Sequence, residues 1–495
     1  ANDAVRVNGS ELRARVVGEG GNLGVTQLGR IEFARAGGRI NTDAIDNSAG
    51  VDTSDHEVNI KIALQPAIAD GRLTADGRDE LLASMTDEVG HLVLADNIAQ
   101  NRVLGVARHH APSMLTVHSR LIDSLVASGR LDRELEFLPN QHQINARMAA
   151  GEPLTSPELS VLLAYVKSAL SAAMLADELP DEPAFARRLG NYFPHGLRAA
   201  AQDGVIDIAA HPLAREIVTT MTVNEVVNGA GITYAFRLQE EMAASYTDAI
   251  RAYSVVTAVF GLPELWADIA AHDNLIPSAC QDTMILQARR LLDRASRWIL
   301  THREAPLDVA AEIERYSAAV TQLTPRMPRL VRGVEHQNVR SDAAELITLG
   351  APAELANRVA YSLYTFSVLD IVDVAMQVGA DLAETAELYY SLSAHLDFDR
   401  ILSAVTGLER GDRWHALARQ ALRDDLYRSM RLITADVLTG TDDQLGVSAR
   451  IESWESQSTA KLARARTTLA QIAAAGAGDL AALSVAASEV RSMVR

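Results

Sequence analysis

Polar and apolar positions alternate from Leu12 to Val17, ending on β-branched residues, a pattern that predicts a short strand. Gly18, Gly20, Gly21 and Gly24 follow as a loop, and the apolar residues from Gln27 to Ala36 then take up helical spacing. Gly37 and Gly38 end this helix as a left-handed cap would. Arg39 to Ile45 is a second extended stretch running into Asn47 to Val51. The order is β-α-β, with a glycine-bearing loop after each strand. Such units belong to parallel sheets with helices packed outside, where ligands sit beyond the carboxyl ends of the strands.

Ser54-Asp55-His56-Glu57 has capping-box spacing, which predicts a helix starting there ahead of Val58 to Ala69. Near residue 72 the pattern changes to a long series of Ala/Leu/Arg/Glu helical segments. Apolar spacing predicts helices over Leu73 to Arg108, Pro112 to Ser128 and Leu131 to Leu138. Thr155-Ser156-Pro157-Glu158 joins cap residues to a first-turn proline. Further helical segments run on to Ala474 with short turns between them. No segment repeats at a fixed period, so the reading is an irregular helical bundle, not a solenoid.

Composition strengthens the helical reading. Of 495 residues, 48% are hydrophobic and 22% charged, ordinary usage for a globular chain, and the 5% of aromatics disfavours strands. The formal charge of −18 has the wrong sign for neutralising phosphates, which argues against nucleic acid and anionic membranes as partners. Cys280 is the single cysteine and cannot close an internal disulfide; no basic start with an apolar stretch behind it opens the chain, so a cytoplasmic setting is expected. The longest apolar stretch, Leu159 to Ala176, contains Lys167 and serines, which favours a buried amphipathic helix over a membrane span. The first residue is Ala1, and the opening reads as already inside a domain, as in a fragment of a longer protein.

Candidate chemistry gathers in the opening region. Gly18-Glu19-Gly20-Gly21-Asn22-Leu23-Gly24 follows the first strand, although its glycines do not match G-x-G-x-x-G. Gly20 permits close backbone approach of a ligand, and Asn22 offers an amide donor and a carbonyl acceptor suited to a carboxamide or a ribose. Taken alone, the loop is better explained as a tight turn with a hydrogen-bonding Asn. Asn47-Ser48-Ala49-Gly50-Val51-Asp52-Thr53-Ser54 sets a second Asn and a cap Ser at the end of the next strand, so that two polar loops face one cleft. Ser54, at a helix start, could hold a carboxylate with its hydroxyl and the free amides behind it, or be an ordinary N-cap.

These residues resemble the glutamate/leucine/phenylalanine/valine dehydrogenases, in which EGAN-x-P-T-T is followed by PD-x-x-AN-x-GG-V-x-VS-x-x-E. Glu19-Gly20-Gly21-Asn22, Thr26, Asp43, Asn47-Ser48-Ala49-Gly50-Val51, Ser54 and Glu57 fill that pattern. The wording of both loops is similar to the large, long-chain NAD-specific glutamate dehydrogenases of bacteria. The motifs cover about the first seventy residues, and that class also carries a long helical C-terminal region. The resemblance implies oxidative deamination of L-glutamate to 2-oxoglutarate and ammonium with NAD as hydride acceptor. By position, Gly20, Asn22 and Asn47 would contact the cofactor and Ser54 the substrate's side-chain carboxylate. Gly24 replaces the family's proline, and Asp55, His56 and Val58 replace aromatic neighbours of the serine. The family's catalytic lysines and aspartate and its pyrophosphate loop precede these motifs, and Lys61 matches neither lysine. The chain alone is therefore expected to be inactive and to hold no catalytic residue.

Other constellations carry less. His109, His110 and His118 lack the companion ligands of a zinc site, so no metal is expected. Asp96, Asn97, Gln100 and Asn101 form a polar stripe that either lines the cleft, is a solvated helix face or makes interhelical hydrogen bonds. Lys167, inside an apolar helix, reads as a snorkelling or ion-paired lysine without a role. Trp266, Trp298, Trp414 and Trp454 read as core or interface anchors.

The fold class expected is mainly α, with a partial Rossmann-like α/β segment over residues 1–71 followed by a large irregular all-helical domain over 72–495. The helices are expected to serve a homo-oligomer, a tetramer among its forms. Two readings compete: a helical scaffold whose loops bind nothing, and a sister amino-acid dehydrogenase with an apolar substrate. The hydroxyl of Ser54 favours glutamate over the second.

Overall fold

Thr26 accepts a hydrogen bond from the Gly29 amide and opens the first helix of the computed structural model, α1 (Gln27–Arg35). Residues 6–21, 24–408, 412–457, 459–474 and 478–494 are described. They are mainly α-helical.

The extended pieces flanking α1 do pair, but only at one point. Val16 and Arg39 form a parallel bridge, with Val17 N donating to Arg39 O at 2.9 Å and Arg39 N to Arg15 O at 3.0 Å. The two strands expected over 12–17 and 39–45 are thus corrected to a single bridge, with no ladder among the described residues. A parallel pair without further neighbouring strands has little to extend it, and Thr42 already turns the chain into a short helix, α2 (Asp43–Asp46). Gly38 allows the return past α1, because a Cβ there would lie 2.3 Å from the Phe33 ring.

Asn47 closes α2 and opens α3 (Ser48–Ala69), its carbonyl taking the amides of Gly50 and Val51. The helix expected to begin at Ser54 therefore begins six residues earlier. Ser54 sits in its second turn and caps nothing, since the local capping spacing yields to a corner held by another helix. Asn97 of α4 (Ala75–His110) donates to Ile45 O at 2.9 Å and to Ser48 Oγ at 2.8 Å.

Then come α5 (Leu115–Ala127), α6 (Gln141–Ala150) and α7 (Ser156–Leu175). The expected helix over Leu131–Leu138 is instead a turn: Asp132 Oδ1 takes the amides of Glu134 and Leu135, and Phe137 adopts a φ of 54°. α7 starts as its sequence predicts, with Thr155 and Glu158 in a capping box and the buried Glu158 also gripped by Arg147 at 2.7 Å. Leu159, Leu162, Leu163, Leu170 and Met174 of α7 are buried, and the helix packs against α1, α4 and α11 (Ala214–Ala230). Three short helices, α8 (Pro183–Ala186), α9 (Leu189–Tyr192) and α10 (His195–Gln202), precede α11. By length and composition alone, Ser156–Leu175 and Ala353–Val378 could each cross a membrane, but more than half of each is buried inside the protein, as in a soluble core helix.

The chain divides into two compact units, residues 1–254 with 304–307, and 255–303 with 308–495. The expected limit at 71/72 falls inside the first unit, because α3 packs along α4. Within the second unit, the carboxylate of Asp370, wholly buried, accepts from Trp298 Nε1 at 2.7 Å, Arg431 at 2.6 Å and the Tyr389 hydroxyl at 3.0 Å. Trp298 and Trp454 are buried anchors as expected, whereas Trp414 is 71% exposed beside Arg413.

Candidate functional site

The first polar loop is shaped by Glu19, a residue for which the local sequence pattern signals no structural role. This residue is 7% exposed, and its Oε1 accepts from the Gly24 and Val25 amides at 3.1 Å each. Its Oε2 takes Arg30 Nε at 2.5 Å, and Arg30 also reaches Asp43 at 3.0 Å. Burial alone would raise the Glu19 pKa, but the hydrogen bonds from Arg30, Val25 and Gly24 and the Arg30 charge hold it below the ordinary carboxylate range. Gly20 is exposed, and a side chain there would meet nothing within 4 Å. Asn22 lies outside the described residues.

Glu19 N donates to Asp46 Oδ2 at 3.1 Å, which sets the first loop against the second. Gly20 and Asn47 thereby each stand one residue from the same contact. Asn41 joins the junction, donating to Asp46 Oδ1 at 3.0 Å and Asn101 Oδ1 at 2.8 Å and accepting from Ser156 Oγ at 2.8 Å. The stripe Asn97-Asn101 thus makes interhelical hydrogen bonds that fasten both loops. Asn47 is half-buried, and its side-chain oxygen would lie 2.5 Å from a Cβ at Gly50, so glycine leaves room for that amide. Ser54 is exposed about 10 Å further along α3, on a face that also carries exposed Val51 and Val58. The structure brings Gly20 and Asn47 together and leaves Ser54 on an open helix face.

A second constellation lies on the opposite side of α3. Asp52 and His56 stand one turn apart, Asp96 approaches from α4 and Lys167 from α7. His56 is 3% exposed; its Nε2 lies 3.8 Å from Asp52 Oδ1, and its Nδ1 is buried without a hydrogen-bond partner. The His56 ring stacks on Tyr192 with centroids 4.1 Å apart, and the Tyr192 hydroxyl accepts from Asn59 Nδ2 at 3.0 Å. His211 completes the wall: its Nδ1 accepts from Leu213 N at 3.1 Å and its Nε2 meets Asn59 O at 3.1 Å. A neutral ring with its proton on Nε2 satisfies both.

Burial pushes Asp52 up to about 7, with the charges of Asp96 and Asp55 adding and Lys167 opposing. Asp96 is raised by burial against the pull of Lys167. Burial lowers Lys167 to about 8, although Asp96 and Asp52 pull it upward, and lowers His56 to about 4. Asp52 and Lys167, with proton affinities shifted by burial inside this partly enclosed group, make it a candidate functional region. The i,i+4 pair Asp52-His56 and the lone lysine of an apolar helix were the sequence signals, but their meeting needed the fold. Among the described residues no group of three or more His, Cys, Asp or Glu could hold a metal ion.

Comparison with known proteins bears on both constellations. The model of the family "Glutamate dehydrogenase, C-terminal" matches residues 151–492, more than half of the chain. The chain belongs to this glutamate dehydrogenase family. The "Bacterial NAD-glutamate dehydrogenase, catalytic domain" model matches residues 1–107. Asp52 and Asp96 therefore come from the catalytic-domain match and Lys167 from the C-terminal match. An NAD-specific glutamate dehydrogenase of Mycobacterium tuberculosis is 50% identical over 495 residues, all of this chain. Those of Pseudomonas aeruginosa and Halomonas elongata are 39% and 38% identical over 495 and 490 residues. The chain spans 30% of the length of each of these relatives.

Proposed function

We propose that this chain is a part of an NAD-dependent glutamate dehydrogenase that converts L-glutamate to 2-oxoglutarate and ammonium, and that it supplies one edge of the cofactor and substrate cleft together with a helical region. The observation that carries this reading is the 50% identity over all 495 residues to an NAD-specific glutamate dehydrogenase. NAD, when bound, accepts the hydride. The residues present suit one edge of a cofactor site. Gly20 leaves open backbone, the Glu19–Asp46 contact holds it beside Asn47, and Asn47 and Asn22 are polar groups without charge. Ser54 is assigned to the substrate carboxylate through its hydroxyl on the exposed face of α3, with no contribution from helix-start amides.

In this reading residues 1–71 are the closing portion of a Rossmann-like domain, supported by the parallel Val16–Arg39 pairing on either side of α1. Residues 72–495 are the helical C-terminal domain, serving a cytoplasmic homo-oligomer. The test compares NADH formation from L-glutamate by the full-length protein and by this 495-residue chain. Activity in the full-length protein alone is the expected outcome. Turnover of leucine or phenylalanine in place of glutamate would select a sister dehydrogenase, and no turnover of any of these would select a helical scaffold. Light scattering on the full-length protein that finds only monomers would overturn the oligomer assignment.

A further inference from the structure

Two breaks in the helices of the second unit border one cavity. At the first, Gly261 takes a φ of 60°, a left-handed turn that joins the helix ending at Phe260 directly to the helix Leu262–Ala270. At the second, Pro325 and Pro328 sit in the first turns of two short helical pieces, Thr324–Arg326 and Met327–Leu330, with φ fixed by their rings. Together with the helices Ser278–His302 and Ala353–Ser362, these breaks enclose about 450 Å³, a size usual for small-molecule sites. Every lining residue belongs to the second unit.

The deep part of the cavity is aliphatic, since Leu262, Leu265 and Leu291 line it and are each 3% exposed or less. Ser362 and Thr365 are buried beside them, and their hydroxyls donate to the Val359 and Ser362 carbonyls at 2.6 Å each. Neither hydroxyl therefore has a proton to offer a ligand. Donors remain at the rim. The half-buried Tyr361 hydroxyl makes no hydrogen bond among the described residues. Of the residues that line the cavity, Arg358 alone is charged. Its partner is Asp268, and since both groups are about half exposed the pair is weak and easily exchanged. Arg326 and Arg329, each next to a lining proline, are exposed and make no ion pair among the described residues. An aliphatic cavity thus opens among three arginines, in a chain whose net charge is −18.

We propose that this cavity binds an aliphatic carboxylate of about the size of a medium-chain fatty acid, its chain against the leucines and its carboxylate between the Tyr361 hydroxyl and Arg358. A carboxylate accepts from both donors, and burial of the chain supplies the affinity. An ammonium would meet Arg358 with like charge, and an uncharged head group would forgo the charge-assisted hydrogen bond. The rigid prolines keep the wall from closing inward, so the cavity stays open although close packing would otherwise gain contacts there. The site lies in the second unit alone and stands apart from the function proposed above.

The test is isothermal titration calorimetry of the full-length protein with octanoate and with octan-1-ol, both below the concentration at which they self-associate. Octanoate is expected to saturate a single site per chain and to bind about tenfold more tightly than the alcohol. Tyr361→Phe, which removes only the phenolic oxygen, and Arg358→Met should each weaken octanoate about tenfold and leave the alcohol unchanged. Asp268→Asn releases Arg358 and should tighten octanoate by up to about fivefold. Amide hydrogen exchange should slow over residues 260–270 and 357–365 when octanoate is added. Equal affinity for acid and alcohol, binding without saturation, unchanged octanoate affinity in Tyr361→Phe and Arg358→Met, or protection only elsewhere overturns the proposal. Protection of the same peptides on raising the protein concentration without octanoate would give the cavity to a second copy of the chain, and overturns it too. Tyr361→Phe removes no hydrogen bond within the protein, so it keeps the test decisive if Arg358→Met does not fold.

Discussion

At the scale of single residues, Gly50 and Asp52 separate local geometry from stability. Gly50 lies in the first turn of α3, where alanine is favoured over glycine by about 1 kcal/mol of helix propensity, yet its Cβ would lie 2.5 Å from Asn47 Oδ1. The far end of an asparagine can swing aside, so Gly50→Ala should leave the thermal midpoint unchanged or raised. In the full-length enzyme the same change should raise the KM for NAD by about tenfold, because Asn47 no longer points as it did. A raised KM for glutamate with unchanged cofactor affinity would instead assign Asn47 elsewhere.

The ionisable groups of α3 and α7 give a prediction of definite sign. Asp52 has its proton affinity raised on folding, from the ordinary 3.8 to about 7, so its contribution to stability falls as pH rises through that window. His56 is lowered from 6.5 to about 4, so its contribution grows with pH between those values. Lys167 is lowered from 10.5 to about 8 and adds stability as pH rises between those values. Asp52 and His56 therefore oppose each other in the acid range. Removing Asp52's titration by Asp52→Asn should make the variant progressively more stable relative to the wild type from about pH 4 to about pH 7. Thermal melts of both proteins at matched pH values check this, and a constant difference would show that Asp52 does not titrate in that window.

At the scale of elements, the corner between α2 and α3 rests on side chains from distant parts of the first unit. Asn97 bonds both a backbone carbonyl and the Ser48 hydroxyl, and Asn97→Ala should cost about 1–3 kcal/mol, the penalty for leaving such groups unpaired. Urea denaturation measures that loss, and a change below about 0.5 kcal/mol, typical of a surface position, would mean that water replaces the amide. Glu19 has the same role for the first loop. Glu19→Ala leaves Arg30, which is 5% exposed, with Asp43 as its remaining carboxylate and strands the Gly24 and Val25 amides, and should cost about 1–3 kcal/mol. Much of this level was legible beforehand: α1, the Thr155–Glu158 start of α7 and the helical body of α4 follow from spacing and caps. Two expectations failed for a shared reason. The capping spacing at Ser54 and the apolar run at Leu131–Leu138 are local signals, and the contacts that displaced them, from Asn97 in one case and from a side-chain turn at Asp132 in the other, prevailed over propensity.

At the scale of the whole molecule, each compact unit has its own buried centre, α7 in the first and the Asp370 cluster in the second. Asp370→Ala would leave the half-buried Arg431 beside the indole of Trp298 and without its carboxylate. A loss of about 3–5 kcal/mol is expected, read as faster hydrogen exchange across residues 368–395 and 413–440. Unaltered exchange there would mean that apolar packing alone holds these helices.

The sequence by itself determined the helical class and the family to which its two asparagine loops belong, because helix periodicity, caps and short motifs are written in neighbouring residues. Only the tertiary structure decided that Ser54 stands on an open helix face, that Glu19 organises the glycine loop, and that Asp52, Asp96 and Lys167 meet. The last three are separated by 44 and 71 positions in the chain. No local pattern reports a desolvated charge whose partners arrive from other helices, since burial and Coulomb interaction depend on distance in space and not on distance along the sequence.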